Sequence, residues 1–372
     1  MNRILIVGGG IGGMSSAIAL AQSGQQVELI ERESGWRALG AGLTLNGATM
    51  RVLDRIGLLD EVRSVGFGAA GTPRSYLADG TLLAESNPAR LFGPRIPNMG
   101  GIMRPALHEI LKSAVLAHKV PVRTGVSYTN LHQEGDEVAV EFSDGTTGRY
   151  DLVVGADGLF SQTRQVIMPE LARPVFTGQG CWRAVVPRPP GQDVAAVYYG
   201  KYIKTGFNPV SQDEMYLFVL VPMPGNPFMP VERWPELLRE ALAEFGGQIA
   251  ELREQIGEHS LINYRPLEGM LIEGDWYRGR VLLIGDASHA TTPHIGYGAG
   301  LSIEDGVVLA DELQKNATIE AAMAAFMKRR FDRCAAVVNG SRRLGDMELA
   351  GSPPAENGRL FGQLLTLIRE EI

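Results

Sequence analysis

The sequence is poor in cysteine and has no long uninterrupted hydrophobic run. Its two cysteines, Cys181 and Cys334, lie far apart and form no C-x-x-C pair, which argues against a disulfide framework and against a cysteine zinc site. The apolar beginning of the chain resembles a signal peptide, but no stretch of about 18 apolar residues occurs anywhere. We therefore expect a cytoplasmic protein that makes no membrane contact.

An excess of positive charge is also missing. The 35 lysines and arginines face 42 aspartates and glutamates, a formal net charge of −7, so nucleic acid and anionic membranes are not expected partners. The basic run at 328–330 has helical spacing to Arg333, which indicates a solvated helix face. Since 45% of the 372 residues are hydrophobic and 21% are charged, disordered and fibrous classes are excluded.

Glycine, in contrast, is abundant, with 46 residues. Gly8, Gly10 and Gly13 form a G-x-G-x-x-G pattern, and Glu31 closes the strand that follows. The surrounding strand, helix and second strand are predicted over residues 3–7, 14–22 and 27–30. This βαβ order is typical of dinucleotide binding, because the glycines allow a tight turn, close approach to a pyrophosphate and helix–strand packing. Glu31 would accept hydrogen bonds from a ribose.

Two later strands of the buried type also end in glycine and aspartate. Residues 152–154 lead into Asp157-Gly158, and residues 281–284 lead into Gly285-Asp286. A carboxylate at the carboxyl end of a strand can bind a ribityl hydroxyl. The glycines of residues 296–300 would bring backbone N–H groups close to a flat ring.

The middle of the chain differs in composition and in the pattern of its residues. Aromatic-rich segments over residues 181–222 alternate with Pro/Gly turns and predict an antiparallel sheet with one face free for a ligand. Helices are expected over 298–313 and 320–339. The overall prediction is an α/β fold, with a Rossmann-like βαβ domain and an inserted antiparallel-sheet substrate subdomain. The expected domain ranges are 1–72, 100–175 and 270–345 for the first, 73–99 and 176–269 for the second, and 346–372 for a C-terminal helical segment.

Taken together, these motifs resemble the group A flavin-dependent aromatic hydroxylases, the family typified by para-hydroxybenzoate hydroxylase. The matching segments follow the family order along nearly the whole chain: GGGIGG at 8–13 with Glu31, GAGLTL at 40–45, Arg104 with Leu107 and Leu111, GADGLFSQTR at 155–164, WRAVVP at 182–187, and GDASHATTPHIGYGAGLSIEDG at 285–306. The resemblance implies the fold of that family, a non-covalent FAD, and NADH or NADPH as the reductant.

Two segments depart from the family pattern. Tyr297 stands before Gly298 where the family usually has glutamine, and Gly300 replaces the usual asparagine. Leu45-Asn46-Gly47 replaces the usual Pro-Asn. These differences concern the contacts beside the flavin ring.

The resemblance also assigns cofactor-binding residues. It places the adenosine on residues 8–13 and Glu31, Arg104 near the ribose and pyrophosphate, and Asp286 at the ribityl end. Asp157-Gly158 is linked to both FAD and NAD(P)H. The complete assignment is Gly8, Gly10, Gly12, Gly13, Glu31, Arg32, Arg37, Arg104, Asp157, Gly158, Asp286, Pro293, Gly296, Gly298 and Ala299.

The implied reaction is hydroxylation of a small activated aromatic, a phenol or a hydroxypyridine carboxylate, through a flavin hydroperoxide and without a metal. His294 is a candidate to hydrogen-bond the substrate or, equally, to cap its loop. Arg183 would hold an anionic group or form a salt bridge across the sheet. Pocket-lining aromatics are expected among five residues, with Tyr202 first: Tyr199, Tyr202, Phe207, Tyr216 and Tyr264.

Alternatives remain open at this stage. The substrate could be a bulkier polycyclic natural product, or the protein could bind FAD without hydroxylase turnover. A halogenase would usually carry a W-x-W-x-I-P segment, and none occurs. His289 and His294 have no carboxylate at ligand spacing, which argues against zinc. The expected partners are a small aromatic substrate and O₂, and the expected assembly is a monomer or homodimer.

Overall fold

The computed structural model describes residues 1–37, 40–69, 73–85 and 91–372. Within this part of the chain the strands, numbered in chain order, are β1 Arg3–Val7, β2 Gln26–Glu31, β3 Gly42–Asn46, β4 Phe67–Ala69, β5 Arg74–Leu77, β6 Leu82–Ala84, β7 Met99–Met103, β8 Val122–Thr124, β9 Tyr128–Glu134, β10 Glu137–Phe142, β11 Thr147–Tyr150, β12 Leu152–Gly155, β13 Val175–Pro187, β14 Ala196–Tyr199, β15 Lys204–Pro209, β16 Glu214–Pro222, β17 Ile262–Gly269, β18 Tyr277–Arg278 and β19 Val281–Leu283. The helices are α1 Ile11–Gln22, α2 Gly47–Arg55, α3 Leu59–Val65, α4 Arg104–Ala117, α5 Gln162–Ile167, α6 Trp234–Ala241, α7 Gly247–Glu254, α8 Asp286–His289, α9 Gly298–Lys315, α10 Ile319–Leu349 and α11 Pro354–Arg369. Short 3₁₀ turns occur at Val231–Arg233 and Pro293–Ile295.

A six-stranded sheet in the order β18-β19-β12-β1-β2-β8 carries the predicted βαβ unit. Its neighbouring strands are parallel except for β18 and β19. Alternate residues of β1 face two different layers. Ile4 and Ile6 pack on the helical layer that contains α1 and α9, whereas Leu5 and Val7 pack on the β9–β11 meander. Both faces of β1 are therefore buried, which explains why its sequence is a continuous apolar run.

A seven-stranded sheet in the order β17-β13-β16-β15-β14-β5-β6 forms the second half of the fold. Trp182 and Ala184 on β13 pack with Leu238 of α6 and Ile249 of α7. Because side chains alternate along a strand, Arg183 lies on the opposite face. Val185, two residues further along β13, shares that face and packs in one cluster with Ala41 and with Met103 of β7. The face that carries Arg183 is therefore directed towards β7. A three-stranded sheet, β3-β7-β4, lies there.

The α/β fold class is confirmed, with a mainly parallel sheet and an inserted sheet that is antiparallel except for the parallel pair β14 and β5. Strands β5 and β6 come from the predicted range 73–99 and join the sheet of β13–β17 through β14. The division into domains stays a prediction, and residues 70–72 beside its first boundary lie outside the described residues. Among the helices described, none has the length and apolar character needed to cross a bilayer.

Helix α10 is longer than the sequence predicts. It was expected to end at residue 339, but it continues to Leu349. Gly340 and Gly345 lie in this extension, where glycine ordinarily weakens a helix. A Cβ on Gly340 would lie 2.5 Å from a methyl carbon of Leu364 in α11. Tertiary packing therefore outweighs local helix propensity here.

An ion network buried between α9 and α10 joins these helices. The expectation of a solvated helix face for residues 328–330 and Arg333 is wrong for Arg330, which has no exposed surface. Its guanidinium donates to Glu304 Oε2 at 2.7 Å and to Asp305 Oδ1 at 2.8 Å. It also donates to the Leu301 carbonyl at 3.1 Å. Arg333 donates a second pair of hydrogen bonds to Glu304. Each buried carboxylate therefore has a charged partner, and these ion pairs offset the free-energy cost of removing the charges from water.

Replacing Arg330 with methionine should destabilise the fold by about 3–5 kcal/mol, because two buried carboxylates would lose a partner. Chemical denaturation followed by circular dichroism measures this change. Arg342→Met on the same helix is the matched control. Its ion pair with Asp346 is exposed, so we expect a change of at most about 0.5 kcal/mol. Equal losses in both variants would contradict a special role for the buried network.

Candidate active site

The glycine turn after β1 is closed on one side and open on the other. Gly8 has a φ of 110°, and a Cβ on Gly13 would lie 1.9 Å from the Gly8 carbonyl oxygen. The close approach of α1 to β1 therefore requires glycine at residue 13. In contrast, no atom lies within 4 Å of a Cβ built on Gly10. Gly10 caps the N-terminus of α1, so open space adjoins a positive helix end. A Cβ on Gly12 would lie 3.2 Å from the Cβ of Ser302 on α9.

Glu31 at the end of β2 stabilises the loops around this turn. Its Oε2 accepts from the Gly9 N–H at 2.7 Å, and its Oε1 accepts from the Glu33 N–H at 2.7 Å. The indole N–H of Trp36 donates to the Gly9 carbonyl at 3.0 Å. Glu31 is thus oriented beside the open space at Gly10. Two further predicted cofactor residues, Arg32 and Arg37, are exposed to solvent.

The Asp157 motif is connected to the turn that carries Asp286. Asp157 accepts from the Ser161 hydroxyl at 2.5 Å and from the Thr163 N–H at 2.9 Å, so its carboxylate stabilises the start of α5. Gly158 has a φ of 79°, which allows the chain to turn there. The buried Arg164 donates to the Ala287 carbonyl at 2.9 Å. The two predicted motifs therefore form one connected unit.

Asp286 and Arg104 share a concave surface. Both side chains reach solvent, but surrounding protein limits their hydration. Desolvation raises the pKa of Asp286, against the effect of the positive charges of His289 and Arg104. Desolvation lowers the pKa of Arg104, and nearby Arg183 and Arg265 lower it further while Asp286 raises it. The structure thus brings Arg104, Asp286 and Arg183 together around one cleft, with more positive than negative charge.

The turn beside the predicted flavin ring contains two of the departures from the family pattern, Tyr297 and Gly300. Gly296 has a left-handed backbone conformation with a φ of 65°. Gly298 and Ala299 are the first residues of α9. The Tyr297 ring is buried, and its hydroxyl donates to Glu304. A Cβ on Gly300 would lie 2.3 Å from Cε2 of that ring. The tyrosine therefore occupies the space beside residue 300, so the two departures depend on each other.

The seven-stranded sheet, which we call the substrate sheet after its predicted role, presents a mixed polar and aromatic face to this cleft. Arg183 is half-buried there, and among the described residues it forms no ion pair with a carboxylate. It lies beside the Tyr216 hydroxyl, and burial raises the pKa of Tyr216 to about 12, against the opposing effect of Arg183. Strand register places Tyr199 and Arg265 on the same face. No sequence motif points to Arg265, because an isolated arginine in a strand carries no local signal.

The remaining aromatic candidates lie elsewhere. Phe207 and Tyr264 pack in the core beneath α6 and α7. Tyr202 is 43% exposed on the loop between β14 and β15, where it lines a cavity with Trp182 and Leu237. This cavity is on the α6 side of the sheet, away from Arg183. A role of Tyr202 in catalysis stays a prediction.

His294 lies inside the protein against α10, within residues 293–299, which we call the ring-side turn. It is 6% exposed, its Nδ1 is 2.8 Å from the Thr292 hydroxyl, and its Nε2 is 3.2 Å from Glu348 Oε2. Burial lowers the pKa of His294, partly offset by Glu348. Contact between His294 and substrate stays a prediction. Glu348 and its second partner Lys204 were missed, since no motif joins residues so far apart in sequence.

His289 belongs to a separate buried cluster with Asp305 and Cys334. Its Nε2 is 2.7 Å from Asp305 Oδ2. Three ligand types for a metal are therefore close together, but Arg330 also contacts Asp305 and lies 3.4 Å from the Cys334 sulfur. A guanidinium already supplies the positive charge at this position. The cluster is an ion pair network of the fold, consistent with the interpretation of His289 as a structural residue.

Comparison with known proteins agrees with this geometry. Residues 1–340 match the family model described as FAD binding domain. The chain is 30% identical over 372 residues to the putative FAD-dependent monooxygenase YetM of Bacillus subtilis, covering all of both chains. It is 34% identical to 2-heptyl-3-hydroxy-4(1H)-quinolone synthase of Pseudomonas aeruginosa over 82% of this chain and 79% of that protein. It is 29% identical to 6-hydroxynicotinate 3-monooxygenase of Pseudomonas fluorescens, covering 90% and 89%.

A solved structure has the same fold. HpxO of Klebsiella pneumoniae, complexed with FAD and uric acid, aligns with a TM-score of 0.81 and 25% identity over 99% of this chain and 93% of that one. The group A resemblance seen in the motifs is therefore confirmed, and FAD binding follows from the family match. The chain belongs to the FAD binding domain family of flavoprotein aromatic monooxygenases, and it is an FAD-dependent monooxygenase.

Proposed function

We propose that this protein is an NAD(P)H-dependent hydroxylase of a small activated aromatic, of the phenol or hydroxypyridine carboxylate type. The observation that carries the proposal is the position of Arg183. It is half-buried on the cleft face of the substrate sheet, and no carboxylate of the described residues neutralises it. A partly desolvated guanidinium with no carboxylate partner among the described residues is suited to bidentate binding of a substrate carboxylate.

The cleft also fits FAD, residue by residue. The open side of Gly10 at the N-terminus of α1 suits the pyrophosphate, with Arg104 as a further cation. Glu31 is oriented to receive the adenosine ribose, and Asp286 the ribityl chain. Residues 296–299 would present backbone groups to the ring. When bound, FAD supplies the activation of dioxygen with electrons from the nicotinamide.

The overall reaction balances as follows. The aromatic substrate, O₂, NAD(P)H and one proton give the hydroxylated product, water and NAD(P)⁺. The chain itself contributes binding and orientation. Arg183 would hold the carboxylate, and Tyr216, with its pKa near 12, keeps its proton at neutral pH and can donate a hydrogen bond to a substrate oxygen. The surrounding apolar residues Ala41 and Val210 limit the access of water.

The names of two relatives point to candidate substrates of two different sizes. One relative is named as a 6-hydroxynicotinate monooxygenase, which agrees with a hydroxypyridine carboxylate. Another, at 34% identity, is named as a 2-heptyl-3-hydroxy-4(1H)-quinolone synthase, which favours a larger bicyclic heteroaromatic as the second candidate. The quinolone named there carries no carboxylate, so a carboxylate requirement separates the two candidates.

Two glycine variants should separate cofactor binding from folding. Gly10→Ala should leave the stability of the FAD-free protein unchanged, because its Cβ meets no protein atom, and should weaken FAD binding by about tenfold or more. Gly13→Ala should destabilise the FAD-free protein by about 1–3 kcal/mol, because its Cβ would overlap the Gly8 carbonyl oxygen. Thermal melting and fluorescence titration with FAD measure the two effects. Unchanged FAD affinity in Gly10→Ala would rule out pyrophosphate binding at this turn.

The first functional experiment is oxygen-dependent oxidation of NADH and NADPH by the FAD-bound protein with a panel of aromatics. The panel contains hydroxybenzoates, hydroxypyridine carboxylates and alkylquinolones, each acid paired with its carboxylate-free analogue. We expect faster oxidation with an acid and a product heavier by one oxygen atom. Stimulation by the quinolones alone would support the second candidate, and stimulation by no compound would contradict both.

Arg183→Met should then raise the KM for the acid by about tenfold to a hundredfold, the loss of a charge-assisted hydrogen bond pair. The KM for the carboxylate-free analogue provides the internal control and should stay near its wild-type value. A similar KM change for both members of the pair would show that Arg183 does not bind the carboxylate.

A further inference from the structure

A second buried charge cluster lies beside the ring-side turn. Glu348, near the end of α10, is only 7% exposed. Its Oε1 accepts from the Lys204 ammonium, and its Oε2 lies 3.2 Å from both Gln179 Nε2 and His294 Nε2. One carboxylate therefore contacts three polar side chains in the protein interior.

These three partners belong to different parts of the site. Lys204 begins β15 and Gln179 lies on β13, both in the substrate sheet. His294 lies in the 3₁₀ turn that precedes Gly296. Glu348 thus connects α10, the substrate sheet and the ring-side turn through a single group.

The backbone of α10 is built to allow this contact. A Cβ on Gly345, one turn before Glu348, would lie 2.6 Å from Gln179 Oε1 and 3.0 Å from His294 Cε1. Only glycine lets the helix approach both side chains this closely. The α10 extension beyond residue 339 is what brings Glu348 to the cluster.

The charges of the cluster are balanced. Although burial opposes ionisation, Lys204 and His294 hold the pKa of Glu348 at about 2, so the carboxylate is ionised at neutral pH. The ammonium of Lys204 neutralises it. Burial keeps the pKa of His294 below its usual value, despite Glu348 and Asp346, so the imidazole is neutral. Nearby Tyr199, whose pKa burial raises, also stays uncharged.

We propose that Glu348 is a positioning residue of the monooxygenase, which fixes the ring-side turn relative to the substrate sheet through its hydrogen bond from Lys204 and its ion-pair distance to His294. It would act through these two partners and not by direct contact with substrate or flavin. The inference rests on the proposed function only in placing the flavin ring at residues 296–299. Loss of the carboxylate would leave the ring-side turn free to move. Solvent would then reach the reduced flavin. NAD(P)H, a proton and O₂ would then give NAD(P)⁺ and H₂O₂ without hydroxylation.

The test uses the FAD-bound protein without any aromatic substrate. We expect Glu348→Gln to shift the visible absorption spectrum of the flavin and to raise the rate of H₂O₂ formation from NAD(P)H by about tenfold. FAD affinity should stay near the wild-type value, because Glu31 and Gly10 are distant from the change. Asp332→Asn, an exposed change on the same helix, is the matched control and should behave like the wild type.

A double-variant cycle shows whether Glu348 acts through His294. His294→Gln should reproduce the spectral shift, and combining it with Glu348→Gln should add little to that shift, since both variants remove the contact between His294 and Glu348. Additive effects, or an unchanged flavin spectrum in Glu348→Gln, would overturn the inference. If Glu348→Gln does not fold, His294→Gln alone tests the same contact from the other side, and its failure to shift the spectrum would overturn the inference. These readouts need no substrate, so they remain decisive even if the aromatic panel contradicts the proposed function.

Discussion

The ion network around Arg330 is the interaction on which the rest of the site depends. Its carboxylate partners, Glu304 and Asp305, each serve a second element. Asp305 also accepts from the Gly285 N–H at 2.8 Å, which fixes the turn leading into Asp286, and Glu304 also accepts from Tyr297 in the ring-side turn. Two turns that are predicted to contact FAD are therefore stabilised by carboxylates that share one buried cation. Charges buried this deeply are stable only when every partner is present, which makes the network a rigid support.

The C-terminal helix is part of the same support. Arg333 donates to the carbonyls of Leu367 and Ile368 at the end of α11, at 2.9 and 2.7 Å, and also to the Tyr297 hydroxyl at 3.2 Å. The last helix thus contacts the ring-side turn through one guanidinium. Tyr297 and Gly300 differ from the family pattern together because the tyrosine ring fills the space beside residue 300 and its hydroxyl requires this network. A change at one position without the other would create a clash or a cavity.

The two faces of the substrate sheet have different roles. Alternation along β13 directs Trp182 and Ala184 into the core under α6 and α7, and leaves Arg183 between them for the cleft. The arginines near the cleft are tolerated only because they remain partly hydrated. Their unbalanced charge suits a site whose cofactor and proposed substrate are both anionic. Glu348, in contrast, neutralises Lys204 within the protein, so that this cation is not available to a ligand.

The amino-acid sequence alone predicts the βαβ unit, the glycine turn, Glu31, the Asp157 and Asp286 motifs and the family. These features are local, because strand periodicity, turn glycines and capping residues act within a few positions. The motif-based cofactor residues follow for the same reason, although their contacts with FAD stay predictions. Long-range packing, in contrast, places His294 next to Glu348 and Tyr202 on the far side of the sheet, and it extends α10 through Gly345. Each depends on contacts between residues distant in sequence, where packing and buried charge outweigh local preference.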